Sequence, residues 1–380
     1  MNRESGKYMI KVCHMTSAHR SDDVRIFQKE CVSLAAAGYE VYLVARGESR
    51  EERGVHVIGV GEPKPGRFNR IFHFTKTIYR TAVSLDADIY HFHDPELLLY
   101  AMKLKRRGKA VIFDSHEHYV RQIAVKSYFS PLVAKMVAKI YGVFEGFVLR
   151  RIDGVVFPCR IDGKNPFEGK AKKTVFLDNY PRLDEFYEHY DPDKKRNDYD
   201  ACYIGSLAKT RGITEYVKAA AAEGIKLALA GSFNSATYKQ EVLSMSEFKA
   251  IDYFGQLDRS AVFDLINRSS IGLNVLHNIG QYANPNNLST KVYEYMALGK
   301  PVVLNDAPYN REMVNKYGFG ICVDPADPDA LAAGIRELLQ DPQFCEQCGQ
   351  NGRNAVRDRF NWDSNFEDLL EFYSELCIVK

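Results

Sequence analysis

The strongest constraint on the fold of this chain is its rhythm. Short β-rich runs alternate with longer helical periodicities, and the series runs through twice. Such alternation calls for parallel sheets with helices on their faces, an α/β class. In the first series, 8–15 reads as a strand, 22–38 as an amphipathic helix ended by Gly38, and 39–45 as the next strand. Further strands are expected at 55–60, 89–93, 110–114, 154–157 and 174–177. The second series places strands at 200–204, 226–230, 251–254, 271–275, 302–304 and 320–323, with a helix at 213–223. Two domains follow, 1–188 and 200–359, joined by the polar stretch 189–199 (HYDPDKKRNDY). The apolar period of 360–376 predicts a last helix, so that 360–380 returns to the first domain.

A chain of 380 residues exceeds what one hydrophobic core usually supports, which agrees with two domains. Cysteines 13, 31, 159, 202, 322, 345, 348 and 377 are scattered, which fits a reducing cytosol better than a disulfide framework. Cys345 and Cys348 form a C-x-x-C without a second ligand pair, so no metal is expected there. The D-x-D at Asp86 and Asp88 precedes a strand instead of following one, and no metal is assigned to it either. The first residues are polar and the first apolar run has only strand length, so neither a secretory leader nor a membrane span is expected.

Charge is uneven. Residues 1–185 hold 31 Lys and Arg against 22 Asp and Glu, whereas 186–380 hold 20 against 27. The basic half suits an anionic partner. Segments 64–80 and 130–151 interleave basic with large apolar residues, among them Arg70, Lys76, Phe68, Phe72, Lys135 and Lys139, a pattern suited to an anionic membrane surface.

In open α/β sheets, ligands bind outside the carboxyl ends of the strands, so the loops there carry the chemistry. The first, 16–23 (TSAHRSDD), has no glycine, which weighs against a dinucleotide cofactor; it offers His19, Asp22, Asp23 and, just beyond, Arg25. Asp22 or Asp23 is expected to cap the following helix. After the strand at 110–114 come His116, Glu117 and His118. The segment 205–212 (GSLAKTRG) is a candidate diphosphate cradle, with glycines for close approach, Lys209 and Arg211 for charge, and a helix start behind them. The segment 284–303 (NPNNLSTKVYEYMALGKPVV) runs from a polar loop through a helix at 291–298 into a strand. Glu294 lies one turn into that helix, where a carboxylate accepts two ribose hydroxyls.

At these residues the sequence resembles the retaining nucleotide-sugar glycosyltransferases of GT-B fold, glycosyltransferase family 4. Its most specific piece is K-V-Y-E-Y-M-A-L-G-K-P-V-V. The motifs H-M-T-S-A-H-R-S-D-D-V-R-I-F-Q-K-E, H-F-H-D, D-S-H-E and D-N-Y-P resemble a bacterial polysaccharide-synthesis branch. The resemblance implies two Rossmann-like doubly wound domains facing across a cleft, and a sugar transferred without cofactor or metal. It assigns Glu294 to the donor ribose, Arg211 to the diphosphate, His116 to the transferred sugar and Gly255 to the base. Gly205, Ser206, Lys209, Asn286, Asn287, Leu288, Ser289, Thr290 and Lys291 complete the donor side. His19, Asp22, Arg25, His93, Asp94 and Glu117 face the acceptor. Two positions depart from the family: Ser206 stands where arginine is frequent, and Asn286 where the first glutamate of E-x7-E would be. The implied partners are a nucleotide-sugar donor, UDP-linked before GDP-linked, and a saccharide acceptor, lipid-linked at the inner membrane face, with the protein cytoplasmic or peripheral. A nucleotide-sugar epimerase of the same fold is the alternative, and a nucleic-acid-binding protein a more distant one; nucleic acid is not an expected partner.

Overall fold

The computed structural model describes residues 9–66, 68–124, 130–158, 160, 163–190, 198–279 and 286–378. Arg67, Cys159, 191–197 of the polar stretch, and Asn284 with Pro285 at the head of the donor-side segment lie outside these described residues. So does Tyr8, the first residue of the first expected strand. The chain divides into two compact units, Met1–Asn179 with Asn365–Lys380, and Tyr180–Ser364.

The first unit holds strands β1 (Lys11–Arg20), β2 (Glu40–Arg46), β3 (Arg50–Glu52), β4 (Val55–Gly59), β5 (Ile89–Phe92), β6 (Ala110–Asp114), β7 (Gly154–Phe157) and β8 (Thr174–Phe176). They lie in the order β3-β4-β2-β1-β5-β6-β7-β8, parallel except for the antiparallel β3–β4 pair. β3 has no counterpart in the expected strands, because Arg50-Glu51-Glu52 has no apolar pattern and sits at an edge.

Two local readings are corrected. Residues 16–20 are not a free loop but continue β1, with an irregular register against β2 between Met15 and Arg20. The Asp94 carboxylate explains this, since it accepts from the backbone N–H groups of Ser17 (2.5 Å) and Ala18 (3.1 Å) and from the Thr16 hydroxyl (2.8 Å). The following helix starts at Val24, with π-helical turns over Val24–Cys31 before an α-helix at Val32–Ala36. Asp23 is its cap, accepting from Arg25 N and Ile26 N.

Strand alternation sorts the central strands into two unlike faces. Cys13, Met15, Tyr90, Phe92, Val111 and Phe113 join an apolar core with Ile78, Leu97, Val148 and Leu149. The other face carries His14, paired in register with His91, then His93 and Asp114. All four are buried. The final helix, Trp362–Ile378, contributes Tyr373 and Phe372 to the first unit. Phe372 lies over Gly154, where an added Cβ would stand 2.4 Å from the ring tip.

The second unit is a six-stranded parallel sheet, β9 (Tyr199–Ile204), β10 (Leu227–Ala230), β11 (Ile251–Tyr253), β12 (Ser269–Asn274), β13 (Val302–Asn305) and β14 (Gly320–Val323), in the order β11-β10-β9-β12-β13-β14. The order reverses between β9 and β12, which marks the switch point of a doubly wound sheet. Cores lie on both faces, one around Val217, Leu229 and Leu273, the other around Tyr293, Met296 and Phe319. No described helix is long and apolar enough to cross a membrane.

Gly154→Ala is expected to destabilise the first unit by about 1–3 kcal/mol, because the new methyl overpacks Phe372. A urea titration followed by hydrogen exchange of β6 and β7 amides checks it; an unchanged midpoint would show that the helix yields freely.

Candidate functional site

On the first unit, polar groups converge where β1, β5 and β6 end. Arg25 comes from the first helix and is buried, with Nε and Nη2 donating to Asp114 Oδ2 (2.8 Å) and Oδ1 (3.1 Å). Its Nη1 donates to Leu177 O and Asn179 Oδ1, both at 2.8 Å. Burial opposes ionisation of Asp114, but the Arg25 charge outweighs it and holds the carboxyl well below its usual range. Glu30, also fully buried, is pushed well up, first by burial and then by the Asp114 charge. The arrangement is therefore one ion pair beside a neutral acid.

Three buried imidazoles, His14, His91 and His93, continue this face. His14 Nδ1 lies 2.9 Å from His93 Nε2, and His93 Nδ1 lies 3.2 Å from His116 Nε2. The Tyr373 hydroxyl is 2.7 Å from His91 Nδ1 and 3.5 Å from His14 Nε2. Burial pushes His14 and His91 well down, and it takes His93 to about 4 despite the neighbouring Asp114. Glu30, His91, His93 and Asp114 present atoms within 4.8 Å of one another, a set that could ligate a metal. The position between the two carboxylates is already held by the Arg25 guanidinium, with Nε 3.1 Å from Glu30 and 2.8 Å from Asp114.

His116 and His19 stand at the outer edge, their ring centroids 4.8 Å apart. His116 Nε2 is 3.4 Å from Asp114. His19 hydrogen-bonds Asp23 (3.0 Å); burial pulls its pKa down, but that bond and the charges of Asp94, Asp23 and Asp114 raise it overall. Asp22 is exposed and paired with Arg20, and Glu117 is exposed beside Gln122. Of the residues assigned to the acceptor, Arg25, His93 and Asp94 are buried and engaged within the unit, whereas His19, Asp22 and Glu117 reach solvent.

On the second unit, the carboxyl ends of β9 and β12 meet the helix Thr290–Ala297. Gly205 has φ +141°, and a Cβ there would stand 2.0 Å from Lys291 Cε; the glycine leaves the room in which the Lys291 side chain lies. Burial and then the Arg211 charge lower Lys291 to about 8, with Glu294 working the other way. Ser289 Oγ donates to Asn274 Oδ1 (2.8 Å) and does not cap the helix. Arg211 closes the turn Lys209–Arg211, whereas Lys209 points away, mostly exposed and 3.8 Å from Glu241. Ser206 offers its carbonyl to the Tyr203 hydroxyl (3.0 Å), and the Gly255 carbonyl accepts from Gly231 N (2.6 Å). Leu288 is buried; Asn286 and Asn287 are half-buried ahead of it, and Thr290 is exposed.

Glu294 is not solitary. Arg259 Nη1 donates to its Oε1 at 2.6 Å, while Arg259 Nε and Nη2 grip Glu185 at 2.6 and 3.1 Å. Neither Arg259 nor Glu185 stands in a motif, and no local pattern marks them. Asn274 and Asn305, buried at the ends of β12 and β13, also went unmarked, although polar residues closing apolar strands are a usable signal.

Comparison with known proteins now bears on these two sites. A model of glycosyl transferases group 1 matches residues 187–355, and one of glycosyltransferase family 4 matches residues 28–164. The chain belongs to the group 1 glycosyltransferases of GT-B fold. An uncharacterised glycosyltransferase of Methanocaldococcus jannaschii is 21% identical over 190 residues, 48% of this chain; the match spans 47% of that relative, about half its length. Among solved structures, sucrose-phosphate synthase of Thermosynechococcus elongatus aligns with a TM-score of 0.72 at 18% identity, covering 98% of this chain and 100% of that one. HepE of Anabaena, solved in complex with UDP-glucose, aligns with a TM-score of 0.69 at 14% identity, covering 96% of this chain and 100% of its own. Similarity at this level carries the fold.

The buried face of the first unit fixes a pH response. Between pH 6.5 and about 4 an unfolded chain protonates His14, His91 and His93, and the folded one does not. Stability from these groups is complete above 6.5 and is lost as pH falls; for His93 alone the loss approaches ~3 kcal/mol at the acid end. Glu30 acts in the opposite sense, since its raised pKa favours the fold at lower pH, but one acid stands against three imidazoles. Hydrogen-exchange protection of β5 and β6, corrected for intrinsic rate, is expected to fall between pH 7 and 4.5 more than that of β9 and β12. Equal loss in both units would refute the assignment.

Proposed function

We propose that this chain transfers a sugar from a nucleoside diphosphate sugar, UDP-linked in preference to GDP-linked, to a saccharide acceptor with retention at the anomeric carbon. The observation that carries this reading is Lys291. A lysine ammonium buried against Gly205, with the Arg211 charge close enough to add to burial in lowering its pKa and a helix start that Ser289 does not cap beside it, is an electropositive site suited to an anion. A diphosphate supplies that anion, and Glu294 one turn along takes the ribose hydroxyls. The UDP-glucose complex of the HepE structure supports the donor class.

In the reaction, the bond from the anomeric carbon to the diphosphate oxygen breaks while the acceptor oxygen attaches to that carbon. Negative charge builds on the departing phosphate, where Lys291, Arg211 and the helix amino end stabilise it. The departing oxygen takes the acceptor proton, and His116 contacts the transferred sugar. No metal is called for in this scheme, because the protein cations serve the diphosphate. The acceptor belongs to the first unit.

The acceptor is lipid-linked, in bacterial surface-polysaccharide assembly, and the protein rests on the inner face of the membrane. Support comes from the helix Pro131–Leu149. Leu132, Met136, Ile140, Val143 and Phe147 recur at three- and four-residue spacing and are 47–82% exposed. Lys135 and Lys139 are exposed among them, and the helix's one acid, Glu145, is buried. A long apolar stripe with basic flanks and no exposed acid fits an anionic bilayer surface.

Thermal melts with UDP, GDP and ADP test the donor site, because a ligand of the folded state raises its stability. One diphosphate series is expected to stabilise the protein, and Lys291→Met to weaken its binding by at least about 10-fold. Affinity is also expected to fall as pH rises through about 8, where Lys291 loses its charge. If no nucleotide shifts the melt of a folded sample, the transferase reading fails. For the surface, flotation with phosphatidylglycerol vesicles is expected for the wild type. The triple change Met136→Ser, Ile140→Ser and Val143→Ser is expected to lose it with nucleotide binding intact; equal flotation of both would remove the membrane from the proposal.

A further inference from the structure

We propose that Arg259 is a positioning residue of the donor site, holding the Glu294 carboxylate in the orientation that reads the ribose hydroxyls; this rests on the assignment of Glu294 to the donor ribose. Arg259 opens the helix Arg259–Asn267, and its position breaks a local rule. A cation in the first turn opposes the helix dipole, so its presence there asks for a compensating partner. Two are found, Glu185 and Glu294, which Arg259 bridges through three hydrogen bonds of 2.6, 3.1 and 2.6 Å.

A lone ion pair on a surface is weak because two flexible side chains must be ordered for one contact. Here the guanidinium is ordered before Glu294 is counted. Glu185 grips it through two bonds. Its carbon lies 4.4 Å from the Phe263 ring centroid and 5.5 Å from that of Phe186. Those rings are buried and meet edge to face at 5.1 Å. Arg259 is therefore a fixed donor against which the Glu294 rotamer is set.

The contact is compatible with ribose. A carboxylate has about four acceptor directions, and Arg259 takes one, on Oε1. Capacity on Oε2 remains for a vicinal diol. Arg259 also settles a competition, since Glu294 is close enough to Lys291 to influence its ionisation. With its carboxylate drawn toward Arg259, Glu294 leaves the Lys291 ammonium to the diphosphate. Glu185 thus orders Arg259, Arg259 orders Glu294, and the two cations serve separate parts of one nucleotide.

The test compares each ribonucleotide with its 2′-deoxy form by calorimetry: UDP, GDP and ADP against 2′-deoxy-UDP, 2′-deoxy-GDP and 2′-deoxy-ADP. For the nucleotide that binds, the wild type is expected to favour the ribo form by about 10-fold or more, because the deoxy form leaves a carboxylate acceptor unpaired. Arg259→Ala is expected to shrink that preference to within about 3-fold while the deoxy affinity moves less than about 2-fold. The deoxy affinity reports that the variant is folded. Glu185→Gln, which leaves Arg259 in place but loosens it, is expected to fall between. A variant Arg259→Ala that keeps the full preference, or binds the ribonucleotide more tightly, overturns the proposal; the second result would make Arg259 a competitor for Glu294. Absence of nucleotide binding by the wild type overturns the donor-site reading itself, and is distinguishable because it appears before any variant is made.

Discussion

The first unit is organised around the buried pair of Arg25 and Asp114. Both groups have left water, and only their mutual grip and the further acceptors Leu177 O and Asn179 Oδ1 make that tolerable. Deleting one partner would strand the other, at a cost of about 3–5 kcal/mol. The pair fixes more than a contact. It ties the first helix to the end of β6 and to the last residues before the chain enters the second unit. Burial and then the Asp114 charge hold Glu30 as the acid, whereas burial alone outweighs Asp114 and keeps the three histidines behind neutral. The polar face is buried because its charges cancel.

The second unit treats charge at its strand ends in the opposite way. There Lys291 lies near a second cation, and burial followed by the Arg211 charge lowers its pKa. The carboxylate nearest at hand, Glu294, is turned to Arg259. Small residues maintain the arrangement, Gly205 by leaving space for the Lys291 stem and Gly231 by letting the backbone of Gly205 pass close. Like charges gathered at one end of a sheet raise the local positive potential.

Much of this was legible in the residues. Every strand of the second unit was expected within a few residues of its place, because apolar runs of strand length are bounded by glycine, proline or polar turns. The first unit was less transparent at two points. Residues 16–20 carry polar side chains and read as a loop; they run with the sheet because Asp94, far along the chain, supplies acceptors for their N–H groups. β3 is three charged residues, held by backbone pairing with β4 and by the bonds of Arg50 to Ser21, distant in the chain. At the sites, local motifs marked Arg211, Lys291, Glu294 and His116, which lie at loops or helix starts. The same approach placed Arg25 and His93 toward an acceptor, whereas both are buried within the unit. A histidine or arginine carries no sign in sequence of which way its strand or helix faces. Arg259 and Glu185 were invisible for a related reason: their importance lies in a contact between residues 74 apart.

The histidines of the first unit form a gradient, and burial is its cause. His14, His91 and His93 share one inner face with Glu30 and Tyr373, where a positive charge has no solvent to stabilise it. His19, part-exposed at the outer end, has its pKa raised by the same family of carboxylates that fails to raise the inner three. Aspartates surround both groups, so the difference comes from desolvation outweighing attraction inside and yielding to it at the edge. The interior that holds the outer edge in place therefore keeps its imidazoles neutral, while the raised pKa of His19 favours a charged imidazole at that edge. Asp114 joins the two regions, bound to Arg25 on its inner side and 3.4 Å from His116 on its outer side. The carboxylate that faces the outer edge is thus already fixed in position from behind.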